Sequence, residues 1–582
     1  MKVKLLNENF SSDYAVNLLR ARGIEDVEAF LKAEDALQSW EDLKSMKVAA
    51  AALHAVPING RIGLVVDCDC DGYTSAAIIH QYIRLVRADI EIHPYIHTGK
   101  AHGLEEHWED IQAQNFDLVI VPDAGSNDGE YAVEIEADIV VIDHHLVEPD
   151  KQSTNMIIVN NQDSPDYRNK NLSGAGMALQ FCRAYDDLYL HDYSRRFWDL
   201  AALGVCGDMM SGLEIENQYI WRRGFKSVTN PFFMALADKQ SYSITGKMTP
   251  TNSDIINALN PISVAFYIVP LINALIRIGT QDEKERMYLA FVDGYYKVPS
   301  QKRGAKGTMV AVAEESTREC VNARTHQNKI KDDAVFSLEQ KIFKYDLLEN
   351  KILFITLDED DNFPSELNGL IAMQLSQKYK KPTILARLNP EGMVRGSIRG
   401  LSNSPLTSFK EYLDETGLCE YVQGHDNAAG ISIAYANVET LLERSNKDFQ
   451  QIDFGENVYE VNFIRQALAN DLSKLIIDLA NFKNIWSQQN PEPVIYVTDL
   501  HFLRSEIQIM GKNRDTLKIV KNGVAYMKFF AKDLIAQIEE MPEPELKMEV
   551  VGRANLNEWL GKFTAQIFIE DYTLKVDSKL DF

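Results

Sequence analysis

Three aspartates at alternate positions, Asp67, Asp69 and Asp71 in the segment VVDCDCDG, are the first residues of this sequence that could carry chemistry. On an extended backbone, alternate side chains share one face of a strand, which would bring the three carboxylates together. Because like charges so close repel one another, such a group is stable only where cations neutralise it. Hard divalent cations prefer carboxylate oxygens. The spacing therefore predicts a metal site, with an acidic turn as the simpler alternative.

Further carboxylate and imidazole side chains follow two more apolar segments. Asp123 closes FDLVIVPD, and Asp143, His144 and His145 come directly after ADIVVI. One aspartate after a strand is often only a loop cap, but three successive strands that end in Asp, the last with a His pair, suit Mn²⁺ or Mg²⁺. Asp208, at the end of the apolar run LAALGVCGD, is a further candidate, because an unpaired carboxylate is costly in apolar surroundings.

Composition and the lack of other motifs narrow the function classes. The sequence has no GxxxxGK[ST] loop for nucleotide phosphates and no CxxC pair for zinc. Its six cysteines and an N-terminus without an apolar leader indicate a reducing cytoplasm. The net charge of -25 argues only weakly against nucleic acid, since an acidic protein can still carry a basic groove. The uncharged stretch 257–276 contains Pro261 and Pro270, so we expect a buried helix and not a membrane span.

The elements that must position these residues are visible in the alternation of apolar and helical patterns. RIGLVVD is followed by the helical pattern SAAIIHQYIRLV, and the pattern repeats through the two later strands. This alternation predicts an α/β fold with a parallel sheet, whose functional groups lie at the carboxyl ends of the strands. The predicted domains are a helical lead-in with the catalytic α/β domain (1–230), a helical connector (231–345), a smaller α/β domain (346–450), one linking helix (451–488) and a small β-barrel (489–582).

Taken in order, DCDCDG, Asp123, Asp143-His144-His145 and Asp208 resemble the four motifs of the DHH phosphoesterases. The downstream segments FPSELNGLIAMQL, VRGSIRG and NLNEWLGKFTAQIFIEDY resemble the RecJ-like branch of that superfamily, which adds a DHH-associated domain and an OB-fold domain. The resemblance implies one or two Mn²⁺ or Mg²⁺ ions. The implied metal ligands are Asp67, Asp69, Asp71, Asp123, His144 and Asp208. The implied catalytic group is Asp143, His144 and His145, in which Asp143 and His145 either bind the metal or orient its ligands.

The resemblance also implies residues that contact the substrate. Those that match phosphate-binding positions are Arg277, Ser397, Arg399 and His425. His97 and Lys100 stand near the place of an arginine that touches the 5′ phosphate in the RecJ-like pattern, and Gln423 replaces a glycine. We therefore expect altered recognition of the terminal phosphate. The further candidates for nucleic-acid binding are Asn273, Lys518 and Trp559, the last two in the OB-like segment, where basic residues among aromatics suit single strands.

By this resemblance we expect a metal-dependent exonuclease that degrades single-stranded DNA from 5′ to 3′, releases 5′-mononucleotides and acts in DNA repair or recombination. Two alternatives stay open: a DHH phosphodiesterase for short RNAs or cyclic dinucleotides, and a non-catalytic replication scaffold that binds nucleic acid. RNA stays open as a substrate, because an OB groove accepts both nucleic acids. The expected partners are a helicase or a single-strand-binding protein, and we expect a cytoplasmic monomer with no membrane contact.

Overall fold

The chain folds into two units. The computed structural model describes residues 1–99, 101–358, 361–401, 404–455, 457–559 and 562–576, and of residues 558, 559 and 576 the backbone alone. The first unit comprises Asp26–Gln327 and Asn484–Pro491, and the second comprises Met1–Glu25, Asn328–Lys483 and Glu492–Phe582. The second unit is therefore built from chain segments on both sides of the first.

The first unit contains a parallel sheet surrounded by helices. The chain begins with two elements of the second unit, β1 (Lys2–Leu5) and α1 (Tyr14–Ala21). The elements of the first unit follow: α2 (Val27–Lys32), α3 (Met46–Ala55), β2 (Arg61–Val66), α4 (Cys70–Val86), β3 (Glu91–Ile96), α5 (Trp108–Gln114), β4 (Leu118–Pro122), α6 (Gly129–Ala132), β5 (Ile139–Asp143), β6 (Met156–Asn160), α7 (Gly174–Tyr189), α8 (Trp198–Gly207), α9 (Ile215–Lys226), α10 (Pro231–Lys239), α11 (Ser241–Thr245), α12 (Asn252–Ala258), α13 (Pro261–Tyr267), α14 (Val269–Ile278), α15 (Gln281–Val292), β7 (Lys297–Pro299) and β8 (Met309–Ala311).

The parallel sheet has the strand order β3-β2-β4-β5-β6, and all four neighbouring pairs run in the same direction. After β2 the chain crosses to one side to form β3 and then returns to the other side of β2 to form β4. This reversal opens a crevice at the carboxyl ends of β2 and β4, where ligands of such sheets bind. Asp67 follows β2 and Asp123 follows β4, so both lie at this crevice.

Apolar cores on both faces explain why these strands read as continuous apolar runs. Every residue of β4 and β5 is buried. In β4, Ile120 belongs to the core on one face and Val119 and Val121 to the core on the other. Sheets made of parallel strands are covered on both faces in this way. The alternation from core to core fixes the register of each strand.

The helices after residue 230 complete the first unit's core instead of forming a separate connector. Phe232, Phe233, Leu275 and Phe291 are fully buried in the same apolar cluster as the central strands. The uncharged stretch folds into α13 and α14, two helices and not the single one expected, with Pro270 in the first turn of α14. Within the described ranges, Pro261–Ile278 is long and apolar enough for a membrane span, a test that a core helix also passes.

The second unit contains two further sheets, ordered β12-β13-β11-β10-β9 and β15-β16-β20-β21-β19-β18-β17. Its remaining elements are α16 (Val312–Lys344, which begins in the first unit), β9 (Leu353–Leu357), α17 (Asn368–Tyr379), β10 (Thr383–Leu388), β11 (Met393–Arg399), α18 (Phe409–Thr416), β12 (Cys419–His425), β13 (Ala428–Ala434), α19 (Val438–Asp448), β14 (Val458–Val461), β15 (Phe463–Gln466), α20 (Leu472–Asn481), β16 (Val494–Leu503), β17 (Gln508–Met510), β18 (Thr516–Lys521), β19 (Val524–Lys528), α21 (Lys532–Glu540), β20 (Glu545–Trp559) and β21 (Lys562–Val576).

The single linking helix predicted over 451–488 is wrong. Two short strands, β14 and β15, occupy its first half, and α20 is only ten residues long. Pairing with distant strands explains the difference, because β14 pairs in parallel with β1 and β15 pairs in parallel with β16. These hydrogen bonds override a local helical preference. They also place residues 1–25 in the second unit, whereas the predicted boundary put them with the first α/β domain.

Arg465 holds the N-terminal segment of the second unit in place. Its guanidinium donates hydrogen bonds to the Asn9 side chain and the Phe10 carbonyl, and to the Asp471 carboxylate at 2.9 Å. Arg465→Ala removes these bonds, and a hydrogen bond that involves a charged group contributes about 1.5–3 kcal/mol. We expect a lower thermal midpoint and faster proteolytic release of residues 1–25. Lys474→Ala, an exposed change on α20, is the control. An unchanged midpoint and cleavage rate would contradict this assignment.

Candidate metal centre

Asp67, Asp69 and Asp71 lie at the junction between β2 and α4 and not along an extended strand. Because β2 ends at Val66 and α4 begins at Cys70, the prediction of three carboxylates on one strand face is wrong. Helix capping is the physical reason: the Asp69 carboxylate accepts a hydrogen bond from the Gly72 amide at 2.9 Å. The positive end of the helix dipole also favours carboxylates at this turn.

The Asp71 carboxylate is completely buried and joins α4 to the start of α7. It accepts hydrogen bonds from the Ser173 hydroxyl at 2.9 Å, the Gly174 amide at 2.6 Å and the Ala175 amide at 3.1 Å. These three donors come from the free amino end of a helix, which is a natural anion site. Sequence reasoning missed Ser173 and Gly174. The signal for them was the SGAG segment, a capping serine followed by small residues.

Asp123, His144 and Asp208 face one another in the crevice. His144 Nε2 lies 3.2 Å from Asp123 Oδ1 and 3.4 Å from Asp208 Oδ2. Burial lowers the pKa of His144 to about 4, so its imidazole is neutral at physiological pH. Asp123 has a positive φ of 69°, which non-glycine residues rarely adopt. Such strain is characteristic of functional sites, where the surrounding structure holds a side chain in one direction.

Asp143 and His145 form a hydrogen-bonded pair next to His144. The Asp143 carboxylate accepts hydrogen bonds from His145 Nδ1 at 2.8 Å and from the His144 amide at 2.7 Å. Burial alone would raise the pKa of Asp143, but the His145 hydrogen bond and charge hold it well below its usual range. The same hydrogen bond raises the pKa of His145 to about 9. An ionised Asp143 thus fixes the orientation of the His pair.

The donor set fits divalent ions. Asp123 Oδ1 and His144 Nε2 are buried and have no hydrogen-bond partner among the described residues, which is costly unless a ligand satisfies them. Three overlapping groups, each with ligand atoms within 4.8 Å of one another, share Asp123 or His144. They are Asp67, Asp69 and Asp123; Asp71, His144 and Asp208; and Asp123, His144 and His145. The overlap gives room for two adjacent ions bound by carboxylates and one or two imidazoles.

The raised pKa values of the carboxylates also indicate a site that binds cations. Burial, reinforced by neighbouring carboxylates, raises the pKa of Asp69 to about 6 and of Asp208 to about 8. The pKa of Asp123 is raised well above its usual value for the same reasons. Without a cation, these groups therefore hold protons that an exposed aspartate has lost.

His102 is a site residue that sequence reasoning missed. Its Nδ1 lies 2.8 Å from Asp67 Oδ2, while most of its side chain is exposed. The hydrogen bond with Asp67 raises the pKa of His102 to about 11. Its signal was weak, because His102 lies in a loop after β3 and not at a strand end.

His97, predicted to contact phosphate, is turned into the protein. Only 2% of the residue is exposed, and its Nδ1 lies 3.2 Å from Glu106 Oε2. A ring so buried offers no surface to a phosphate, so this prediction is wrong, and Glu106 is the reason that the ring turns inward. Lys100, the neighbouring candidate, lies outside the described residues.

Asn273 and Arg277 lie one turn apart on α14. Desolvation by the surrounding protein lowers the pKa of Arg277, and the positive charge of the neighbouring Arg324 lowers it further. The negative charge of Asp69 opposes this shift. Arg277 is thus within electrostatic reach of the metal centre. The Asn273 side-chain oxygen is buried and unpartnered within the described part of the chain.

Ser397, Arg399 and His425 are brought together on the second unit's own sheet. Arg399 on β11 and His425 on β12 both stand opposite Ala428 of β13, and Ser397 stands opposite Gly430. Because residues directly opposite or two apart share a face, the three side chains lie on one face, around small residues. Lys518 is a partly buried residue of β18, and the side chain of Trp559 lies outside the described residues.

Residues 61–205 match the DHH family, N-terminal domain, and residues 469–571 match the RecJ OB domain. The putative SPbeta prophage-derived single-strand DNA-specific exonuclease YorK of Bacillus subtilis is 34% identical over 99% of this chain and 98% of its own length. The single-stranded-DNA-specific exonuclease RecJ of the same organism is 23% identical over 98% of this chain and 69% of its own length.

A solved structure shows the same fold. The crystal structure of RecJ in complex with Mn²⁺ from Thermus thermophilus matches with a TM-score of 0.69 and 19% identity. The match covers 98% of this chain and 79% of that one.

Gly174 lies so close to Asp123 that a larger residue would displace the carboxylate. A Cβ at Gly174 would lie 2.2 Å from Asp123 Oδ1. We expect Gly174→Ala to weaken Mn²⁺ binding about 10–100-fold, as changes around metal ligands typically do. Titration calorimetry measures the effect. Gly99→Ala, where a Cβ would meet nothing within 4 Å among the described residues, is the matched control. Equal Mn²⁺ affinity in the two variants would contradict the placement of Asp123.

The raised pKa values of Asp69 and Asp208 predict how pH affects stability. Between their unfolded and folded pKa values, the folded metal-free protein binds more protons than the unfolded chain, so its free energy of unfolding falls as pH rises from about 4 to 8. Divalent ions displace those protons, so the stabilisation by Mn²⁺ should grow over the same range. Thermal midpoints with chelator and with Mn²⁺, measured across this range, test the sign. A Mn²⁺ effect that shrinks as pH rises would refute it.

Proposed function

The chain belongs to the RecJ-like single-strand DNA-specific exonucleases of the DHH family, and on this premise we propose that it hydrolyses phosphodiester bonds of single-stranded DNA with Mn²⁺ or Mg²⁺. The observation that carries the proposal is the pair Asp123 Oδ1 and His144 Nε2 in the crevice between β2 and β4: both atoms are buried, lie 3.2 Å apart and have no hydrogen bond within the described part of the chain. A divalent ion held there would supply a nucleophile at neutral pH and stabilise the charge that develops on the phosphate.

We assign the ions to Asp67, Asp69, Asp123, His144 and Asp208, each of which belongs to at least one of the overlapping groups of ligand atoms. The other two acidic residues act differently. The carboxylate of Asp71 accepts hydrogen bonds from three donors at the start of α7. Asp71 therefore positions α4 relative to α7. Asp143 orients His144 and His145 through their amides and the His145 ring.

In this proposal each unit carries its own residues that bind substrate phosphates. Arg277 lies near the carboxylates of the first unit and offers a planar guanidinium to a phosphate, assisted by Asn273. Ser397, Arg399 and His425 share one face of the second unit's sheet, where Ala428 and Gly430 let a backbone approach closely. A hydroxyl, a guanidinium and an imidazole together suit a terminal phosphate.

The chain is also proposed to degrade single-stranded DNA from the 5′ end and to release 5′-mononucleotides. With His97 buried, the 5′ phosphate depends on the face formed by Ser397, Arg399 and His425, so we expect a weaker preference for a phosphorylated end. A helicase or single-strand-binding protein is the kind of partner that would supply such a substrate. The chain is proposed to act as a monomer in the cytoplasm.

The two alternatives are less consistent with these features. An OB domain over residues 469–571 would serve little purpose in a phosphodiesterase for cyclic dinucleotides or very short RNAs. A non-catalytic scaffold would have no need for buried ligand atoms that face one another in the crevice without a hydrogen bond to any described residue.

Asp208→Asn tests the proposed reaction. The change keeps the size of the side chain but removes a ligand charge, so hydrolysis should fall by at least about a hundredfold while the fold survives. The assay compares 5′-labelled and 3′-labelled single-stranded DNA, with and without a 5′ phosphate, beside RNA and a cyclic dinucleotide, in Mn²⁺. Mononucleotides released first from the 5′ label are the expected result.

Asp138→Asn, an exposed residue of the same unit with the same loss of charge, is the matched control. Full activity of Asp208→Asn, or cleavage of the cyclic dinucleotide in preference to DNA, would overturn the proposal.

A further inference from the structure

The end of α8 carries an exposed methionine beside the metal centre. Asp208, whose carboxylate lies 3.4 Å from His144 Nε2, caps the helix, and Met209 follows it directly. Successive Cα atoms are only about 3.8 Å apart, so the side chain of Met209 begins at the edge of the crevice. The residue is 57% exposed. A substrate held by ions at Asp208 would therefore lie close to Met209.

Met209 occupies a backbone position that glycine normally fills. Its amide donates to the Cys206 carbonyl at 3.2 Å, and the Met210 amide donates to the Val205 carbonyl at 3.1 Å. These two bonds form the Schellman motif, in which the residue at the place of Met209 takes a positive φ. The φ of Met209 is 53°. A residue with a Cβ is strained in this conformation, so a glycine would end the helix at a lower cost.

Packing in the core does not explain why a methionine stands here. Met210, the next residue, packs against the apolar core of the first unit, whereas more than half of Met209 is exposed. An exposed side chain with a strained backbone contributes little to the stability of the fold. Such residues are concentrated at ligand-binding sites, where the side chain serves the ligand.

Leu190 has the same backbone conformation and exposure in a different place. It ends α7 with a φ of 59° and is 92% exposed. The opposite end of α7 holds the Asp71 carboxylate of the metal centre. Because α7 has 16 residues, Leu190 lies roughly 24 Å along the helix from that end. Position beside the metal centre therefore distinguishes Met209 from Leu190.

We propose that Met209 contacts the base of a nucleotide that adjoins the scissile phosphate, an inference that rests on the proposed function. A phosphate held at Asp123, His144 and Asp208 brings the nucleosides on its two sides to the edge of the crevice. The thioether sulfur of methionine is polarisable and makes favourable contacts with aromatic rings. Since every base has such a ring and the contact needs no hydrogen bond, it should accept all four bases.

The test measures binding and does not require hydrolysis. The full chain with Asp123→Asn is mixed, in Mn²⁺, with short 3′-labelled single strands of DNA that carry a 5′ phosphate. One strand has all its bases, and two others have an abasic residue at the first or the second position. Fluorescence anisotropy gives each Kd. Adding Met209→Ala should weaken binding of the complete strand by about 2–10-fold, as expected for a sulfur–aromatic contact. Binding of one of the two abasic strands should stay unchanged.

Met209→Gly covers the case in which the alanine variant is unstable, because glycine relieves the strain of the positive φ. It should raise the thermal midpoint and still weaken binding of the complete strand alone. A purely structural role of Met209 would not separate these two effects. Leu190→Ala is the matched control, since it also removes an exposed apolar side chain with a positive φ. It should leave every Kd unchanged.

Equal weakening of the complete strand and both abasic strands by Met209→Ala, or no weakening of any strand, would overturn this assignment. The two proposals can fail separately, because Kd is measured without hydrolysis. A protein that binds DNA through Met209 but hydrolyses none would refute only the proposed function. Hydrolysis by a protein whose Kd values do not depend on Met209 would refute only the contact with the base.

Discussion

Repulsion among buried carboxylates is the constraint on which the rest of this structure depends. Asp69, Asp71, Asp123 and Asp208 all come together where the parallel strands end, in surroundings that raise their pKa values. Cations can neutralise the side of each carboxylate that faces the crevice, but the protein must hold the opposite side. It does so with helix ends: the first turn of α4 binds Asp69 and the first turn of α7 binds Asp71. The parallel sheet brings the carboxylates together at its edge, and hydrogen bonds from the two helix ends hold Asp69 and Asp71 in place.

Close packing of α4, α7 and α8 maintains this balance. A Cβ at Gly204 on α8 would lie 2.2 Å from Asp71 Oδ1 and 2.4 Å from Ala175 Cβ. A Cβ at Gly174 would meet Asp123 just as closely. Small residues are therefore needed on the two helices that face the carboxylates, because any larger side chain would occupy the volume of a ligand. The same two glycines thus allow the helices to pack closely and leave space for the carboxylates.

Much of the centre could be predicted from the sequence, because strand ends in a parallel sheet meet at one edge. The positions of Asp123 and the Asp143-His144-His145 group follow from that rule alone. The details could not be predicted, since they depend on distant partners. Asp71 takes its role from Ser173, about a hundred residues away. His102 reaches Asp67 from a loop, and the strand β14 exists because β1 pairs with it. Periodicity within a short segment contains no information about such partners.

The pairing of β1 with β14 has a consequence for the order in which the protein is made. Lys2 pairs with Val458, and the main segment of the first unit, Asp26–Gln327, is inserted between these two positions. A ribosome that adds about 5–20 residues per second needs roughly 20–90 s to synthesise the partner strand. During that interval the first unit emerges and can fold, while the strand at the amino end waits with its backbone unpaired. The nascent chain thus acquires its metal-binding crevice well before the second unit can close.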